Sequence, residues 1–304
     1  MKATGFFYAR IFGPTSGWHL VCLGWLRMKT LSMKTRRWLY CVPVLALLLV
    51  AAVPALGPGD AVRSIPQTSF GRGEVILYTV HYGLINGGEA TVETGGGLEH
   101  FNGRPCYKAS VSGKTTGSFD FFLRIRDQWR ALIDTTSILP LRAQRDIAEK
   151  NYRKRETVDF DHLHDVADVV DHTHENTRTT VKVANNTQEL VSGFYYLRTL
   201  NFDRMKVGDV VRVPGYFDGD NFILEVVFKG REVVETKAGD VRAFKLVPRM
   251  PNNKLFRGEN AISVYFSDDR NKIPVLFQAE MFVGTVKVDM VKYQGLRWKL
   301  NLVQ

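Results

Sequence analysis

The chain has 304 residues, 45% of them hydrophobic and 24% charged, with a formal net charge of +10. This is the composition of a globular protein with enough length for one large core or two small ones, and it excludes a disordered chain. The basic excess does not mark a nucleic-acid binder: residues 1–61 carry seven Lys or Arg against Asp60 alone, and the remaining 34 basic and 30 acidic residues nearly balance.

Residues 1–32 show no periodicity and no acidic residue. They are expected to be a mis-called extension, with translation starting at Met28 or Met33. Residues 33–61 have the order of a secretory signal peptide. "MKTRRW" is its basic region, "WLYCVPVLALLLVAAVPALG" from Trp38 is uncharged, and small residues follow at Ala55, Gly57 and Ala61. Cleavage is expected between about Pro54 and Val62, which places the protein in the periplasm or cell envelope. An uncleaved membrane anchor is the alternative, because about 20 apolar residues can span a bilayer. Past residue 61 the sole cysteine is Cys106, so no intramolecular disulfide is available. Its place in "GRPCYKASVSG" reads as a small apolar strand residue.

Residues 62–72 read as a linker. From Glu74 the dominant period is two. "EVILYTVHY", the turn "GLINGG" and "EATVET" form a hairpin. "CYKASVSG", "FDFFLRI", "QWRALID", "PLRAQRDI", "RETVDFD" and "VADVVDH" read as further strands, and the later half continues in the same style to "TVKVDMVKY". Glycine or polar clusters punctuate the junctions. Short connections between many strands predict a mainly β domain over 73–294: a curved antiparallel sheet or half-barrel meander. Its halves are about 73–185 and 201–294, followed by a C-terminal tail at 295–304.

One amphipathic helix is predicted between the halves, over 187–200. Asn186 stands at a plausible N-cap with Glu189 three residues later, a capping-box pattern. Leu190, Phe194 and Leu197 share one helical face, although Gly193 weakens the helix by roughly 1 kcal/mol. The halves also repeat three elements in order: Val92–Glu93–Thr94 and Val234–Glu235–Thr236, Tyr107–Lys108 and Phe244–Lys245, then Asp134 with Pro140 and Asp268 with Pro274. The last element reads as a pinned hairpin. A carboxylate ending one strand accepts backbone N–H groups of the turn, and the proline opens the next strand where its missing donor costs least. A catalytic carboxylate is the sharper reading, but neither copy adds a histidine or second acid at fixed spacing.

His162 with His164, and His172 with His174, are spaced two apart in an acidic stretch. On a strand each pair would share a face and could hold a metal. A solvated acidic hairpin accounts for the same residues without a metal, so no metal or other cofactor is expected. The basic run around Arg142–Arg155 is read as a solvated hairpin face, with phosphates of lipids or envelope polymers as the alternative, and the aromatic "SFDFFLRI" and "FYYLR" as core, with a groove lining as the alternative. No phosphate loop, nucleophile elbow or zinc-protease motif is present.

The segments "IRDQWRALIDTTSILPLRAQRDIAEKNYRKRETVDFD", "LVSGFYYLRTL" and "ISVYFSDDRNKIPVLFQAEMFVGTVKVDMVKY" resemble a bacterial family of exported proteins, the domain-of-unknown-function 3108 family. The most specific positions are Asp134 with Pro140, Tyr195–Arg198, Asp268–Asp269 with Ile273–Pro274, and Gly284. The resemblance carries no catalytic or ligand residue. The strand–Asp–turn–Leu–Pro pattern is also similar to lipoprotein-carrier (LolA-like) half-barrels, a likeness of fold alone. The expectation is a non-catalytic envelope protein, membrane-proximal, binding a lipid or other amphipathic ligand in a concave sheet. A protein-interaction module that docks an envelope protein partner is the alternative, and an enzyme acting on cell-wall material the third reading.

Overall fold

The computed structural model describes residues 62–303 except 84, 250–260 and 283. The expected extension and signal segment lie outside the described residues. The rest is one antiparallel sheet. β1 (Val75–Tyr82), β2 (Ile85–Phe101), β3 (Arg104–Thr115), β4 (Arg126–Asp134), β5 (Pro140–Glu149) and β6 (Tyr152–Asp161) form a first meander, extended by β7 (Val166–Asp171) and β8 (Thr177–Lys182). β9 (Val210–Phe217), β10 (Asp220–Thr236), β11 (Gly239–Pro248), β12 (Ile262–Ser267), β13 (Pro274–Met281) and β14 (Gly284–Gln294) form the second. In space the order runs from β8 down to β1, then from β14 down to β9, with β1 paired antiparallel to β14. The sheet is curved and not closed; β8 and β9 are its edges.

The two meanders run in the same direction across the sheet. Their registers coincide at the hairpins: Tyr107 faces Ile133, which faces Pro140, and Phe244 faces Phe266, which faces Pro274. Two of the three repeated elements are therefore structural equivalents. The Val-Glu-Thr runs are not. Leu98 faces Tyr107 while Arg231 faces Phe244, so Val92–Thr94 precedes the equivalent point in β2 and Val234–Thr236 follows it in β10.

The predicted helix is α2 (Leu190–Leu197), shorter than expected. Its capping box is displaced by three residues. Glu189 is the N-cap, its carboxylate accepting from the Val191 and Ser192 N–H groups, while the Ser192 hydroxyl accepts from the Glu189 N–H. An earlier start is blocked because the Gln188 backbone is already used: its N–H donates to the Pro214 carbonyl (2.8 Å) and its carbonyl accepts from the Tyr216 N–H (2.9 Å). This bridge, with Asn221 Nδ2 donating to the Lys182 carbonyl (2.8 Å), stitches the segment between β8 and α2 to the β9–β10 hairpin.

α2 fills the inner face of the sheet. Val191 and Tyr195 pack with Ala109, Ala131, Ile133 and Ile138 on one side. Leu197 packs with Phe202, Val213, Phe228, Phe244 and Phe266 on the other. The expected linker and tail belong to the same body. Phe70 is fully buried against Tyr107 and Tyr195, and Leu300 is buried in the cluster of Ile76, Val241 and Val275. Polar and turn-rich composition concealed these anchors; each is a single large apolar side chain seated in the core.

The segment "FDFFLRI" corrects the strand reading most clearly. Residues Gly117–Phe122 form the short helix α1, entered through Gly117 at φ +59°. The core expectation for its aromatics is also overturned, since Phe121 and Phe122 are 88% and 73% exposed.

Candidate functional site

Among the described residues, three places gather several buried polar groups each. The first joins the two meanders. Arg198, which caps the C-terminus of α2, is 1% exposed and meets Glu74 at the entrance of β1, also 1% exposed. Nη1 donates to Oε1 (2.5 Å) and Nη2 to Oε2 (2.8 Å), a two-pronged pair. Nε and Nη2 also donate to the Asn271 carbonyl (3.1 and 3.0 Å), and Nη2 to that of Ser69 (3.4 Å). The guanidinium lies over the rings of Phe70 and Tyr195. Burial opposes its charge, but Glu74 outweighs burial and raises its pKa. Tyr195 shares a hydrogen bond with Thr94 (2.9 Å), and Tyr78 donates to the Pro274 carbonyl (2.6 Å). Burial raises the Tyr78 phenol well above its ordinary range. The cluster ties the 69–74 entry, β1, α2 and the β12–β13 turn together, which explains the Tyr195–Arg198 run and the Ile273–Pro274 step as structural.

Both predicted hairpins sit beside this cluster. Asp134 behaves as expected. Oδ1 accepts from the Thr136 N–H (3.0 Å), the Ser137 N–H (2.7 Å) and the Ser137 hydroxyl (2.9 Å), and Oδ2 accepts from Arg104 Nε (2.7 Å). Burial would raise the Asp134 carboxyl, but these donors win and lower it. Pro140 opens β5 opposite Ile133. In the second hairpin Pro274 opens β13, but Asp268 does not pin the turn. Its carboxylate pairs with Arg231 (3.0 Å) at the surface. Asp269 takes the pinning role, accepting from the Asn271 and Lys272 N–H groups (2.8 and 3.3 Å) and the Ser267 hydroxyl. The turn is one residue longer than its counterpart: six residues separate Ile133 from Pro140 and seven separate Phe266 from Pro274. The sequence match of Asp134 with Asp268 therefore aligned the wrong aspartate.

The histidine pairs do not share strand faces. His162 and His164 lie in the β6–β7 turn, and His172 and His174 in the β7–β8 turn, at opposite ends of β7. His162 Nε2 contacts the Pro140 carbonyl (2.7 Å) and stacks on Phe160, whereas His164 turns to Asp161 (2.6 Å). His172 meets Asn176 and His174 meets Asp171. The period-two argument failed because turn backbone sends neighbouring rings to different partners.

The second buried polar place is an acid pair that sequence reasoning missed. Asp127 and Glu149, each 7% exposed, lie on paired ends of β4 and β5 and share a hydrogen bond. Burial, then the neighbouring Asp127 charge, pushes the Glu149 carboxyl up to about 7. Two carboxyl groups this close disfavour ionising together, which favours one shared proton. Only the cross-strand register brings them together, since 22 positions of sequence separate them.

The third is a small inner void of about 30 Å³, bordered by Trp129, Arg145, Glu156, Phe160, Glu189 and Tyr216. Arg145 is held by Glu156 (3.0 Å) and Asp218, so it points inward instead of joining the solvated basic face expected of it. A larger recess of about 580 Å³ lies over β2–β5 and is polar, lined by residues such as Glu89, Ser112, Lys114, Arg126 and Gln128. Cys106 is fully buried in β3, its thiol pushed up to about 11 by burial first and then by Asp134. Among the described residues no three His, Cys, Asp or Glu side chains converge as a metal site, and no helix is long and apolar enough to cross a membrane.

No curated protein matches the chain. Among solved structures, a β-barrel-like protein of domain of unknown function DUF1849 from Brucella abortus is 13% identical, with a TM-score of 0.48, covering 73% of this chain and 97% of its own. A protein from Bacteroides fragilis described as exported, with a YmcC-like fold, is 11% identical (TM-score 0.32; 77% and 100% covered). A protein from Parabacteroides distasonis described as a lipoprotein is also 11% identical (TM-score 0.29; 76% and 99% covered). Residues 77–291 match the family described as "Protein of unknown function (DUF3108)". That span holds the paired meanders, α2 and both pinned hairpins, and the chain belongs to the DUF3108 family.

Proposed function

We propose that this protein is an exported, non-catalytic envelope protein that works as an interaction module, with partners engaging its surface and not an internal cavity. The observation that carries the proposal is the filled inner face. α2 and the rings of Phe70, Phe202, Phe228, Phe244 and Phe266 occupy the space a carrier would leave open. The inner void beside α2, about 30 Å³, is far below the roughly 300–1,000 Å³ of small-molecule pockets, and the larger recess over β2–β5, about 580 Å³, is lined mainly by polar and charged side chains. This moves the balance from the lipid-carrier reading toward the interaction module. The signal-like order of residues 33–61 supports export.

The docking edge is β8. Among the described residues it has a strand neighbour on one side alone, and five of its six residues are exposed. An unpaired strand is a template for strand addition by a partner's extended segment. The test has two arms on protein purified from its own envelope. Native mass spectrometry should give an apo mass, and cross-linking should place a partner peptide on Thr177–Lys182 that Thr179→Pro removes. Stoichiometric co-purifying lipid, or cross-links unmoved by Thr179→Pro, would overturn the proposal.

A further inference from the structure

The sheet has two ends, and one is built to present aromatic side chains. It carries the β1–β2 and β13–β14 turns, α1, and the β5–β6 turn. Ile85 is 55% exposed, Phe282 59%, Phe121 88% and Phe122 73%. The first two stand at the ends of neighbouring hairpins joined by the β1–β14 pairing, where Gly83 N–H donates to the Thr285 carbonyl (3.1 Å). α1 is attached to the same place: Phe119 covers Gly87, where a Cβ would lie 3.5 Å from its ring, and packs against the Tyr82 ring.

α1 is not a loose loop. Asp120 accepts from the Thr115 hydroxyl (2.8 Å) and from Arg126 (2.6 Å), the Thr116 N–H donates to the Gly87 carbonyl (3.0 Å), and the Ile125 N–H donates to Thr115 Oγ1 (2.9 Å). These contacts anchor one side of the turn and hold Phe121 and Phe122 outward on the other. Two adjacent, nearly bare phenyl rings on a fixed platform are an exposed apolar patch of the kind that marks an interaction site.

Its rim is cationic. Arg124, Lys150 and Arg153 are exposed, and the Lys150 N–H donates to the Arg124 carbonyl (2.7 Å), so the α1–β4 connection and the β5–β6 turn are side by side. Arg153 makes its hydrogen bonds to the Lys150 and Tyr152 carbonyls, not to a carboxylate. Of the nearby carboxylates, Asp120 pairs with Arg126, and Asp127 and Glu149 are buried away from the surface.

We propose that this end of the sheet docks on the surface of an anionic lipid bilayer, with Phe121, Phe122, Phe282 and Ile85 entering the headgroup boundary and Arg124, Lys150 and Arg153 facing lipid phosphates. Aromatic rings favour that boundary, and flanking cations add attraction to anionic headgroups. A protein partner would meet the same rings, but the exposed cations around them, which form no ion pair among the described residues, favour the bilayer. The inference rests on the exported reading only for access to an envelope leaflet, and it is independent of the β8 edge.

The test is hydrogen exchange on the full-length chain with vesicles of phosphatidylcholine, with or without phosphatidylglycerol. Residues 1–61 are the same in every variant, so the readout is local protection and not total binding. Residues 117–125 and 149–153 should gain protection on anionic vesicles and lose it at high salt. Phe121→Ser with Phe122→Ser should abolish that gain, each ring contributing about tenfold to partition. Arg124→Gln and Lys150→Gln should each weaken it about fivefold, while protection across β12 and β13 stays unchanged in all variants. Equal protection on neutral and anionic vesicles, no gain at the tip, or a gain that survives the double serine variant would overturn the proposal. Any of these would leave the β8 cross-links, and so the interaction-module reading, untouched.

Discussion

Glu74→Gln should be among the most destabilising single changes in this protein. Arg198 and Glu74 are each 1% exposed, and the guanidinium makes two of its contacts to that one carboxylate. Glu74→Gln leaves a buried cation with no counter-charge, held by one amide oxygen, the Asn271 and Ser69 carbonyls and two rings. Breaking one side of a buried pair costs about 3–5 kcal/mol. Because the cation bridges the entry segment, α2 and the β12–β13 turn, the loss falls on the junction of both meanders. Replacing both partners, Glu74→Leu with Arg198→Met, removes the charges together. It should cost less than Glu74→Gln, about 1–3 kcal/mol, set by the carbonyls left without donors. The assay is urea unfolding with both variants analysed at a common m-value. A Glu74→Gln cost below about 1 kcal/mol, or a double variant worse than the single, would refute the reasoning that an unpaired buried charge dominates here.

Asp134→Ala should cost about 1–3 kcal/mol, since three turn donors lose their acceptor in a buried site, and Asp269→Ala should cost a similar amount. Asp268→Ala should cost no more than about 1 kcal/mol, the scale of a surface ion pair; equal melting shifts at 268 and 269 would contradict the assigned register. The raised Glu149 carboxyl has a definite sign. Its stabilising contribution is full below the ordinary glutamate value of 4.5 and is lost as pH rises toward about 7, so Glu149→Gln should flatten stability between those limits. An unchanged pH profile in that variant would remove the shared proton. Gly295→Ala should unfold or badly destabilise the chain, because a Cβ there would lie 2.0 Å from the Gly73 carbonyl oxygen at φ +68°. Gly96→Ala, with open space around it, is the matched control in a melting experiment.

Strand period, turn residues and one helical stripe were local signals, and local physics was enough for them. The alternation of "VILYTVHY" puts Ile76 and Tyr78 in the core because successive strand side chains point to opposite faces. Asp134 pins its turn through donors two and three residues away, which the sequence shows directly. The signal weakened where a residue's partner was distant or where one position of length mattered. Asp268 and Asp269 differ by one place, and only the longer second turn assigns the pinning role to Asp269. The histidine pairs were read with strand geometry in segments that turned out to be turns.

The sequence alone determined that this is a mainly β antiparallel protein with a helix between two halves, because period, punctuation and capping are encoded within a few residues. Tertiary structure decided the rest. It paired β1 with β14, seated Phe70 and Leu300 from apparent linker and tail, and brought Glu74 to Arg198 and Asp127 to Glu149. It also decided that α2 fills the inner face while Phe121 and Phe122 stay outside. Aromatic composition is the same for a ring in the core and a ring on a platform. What separates them is whether the remainder of the chain returns to cover it, and that depends on contacts between residues far apart in sequence.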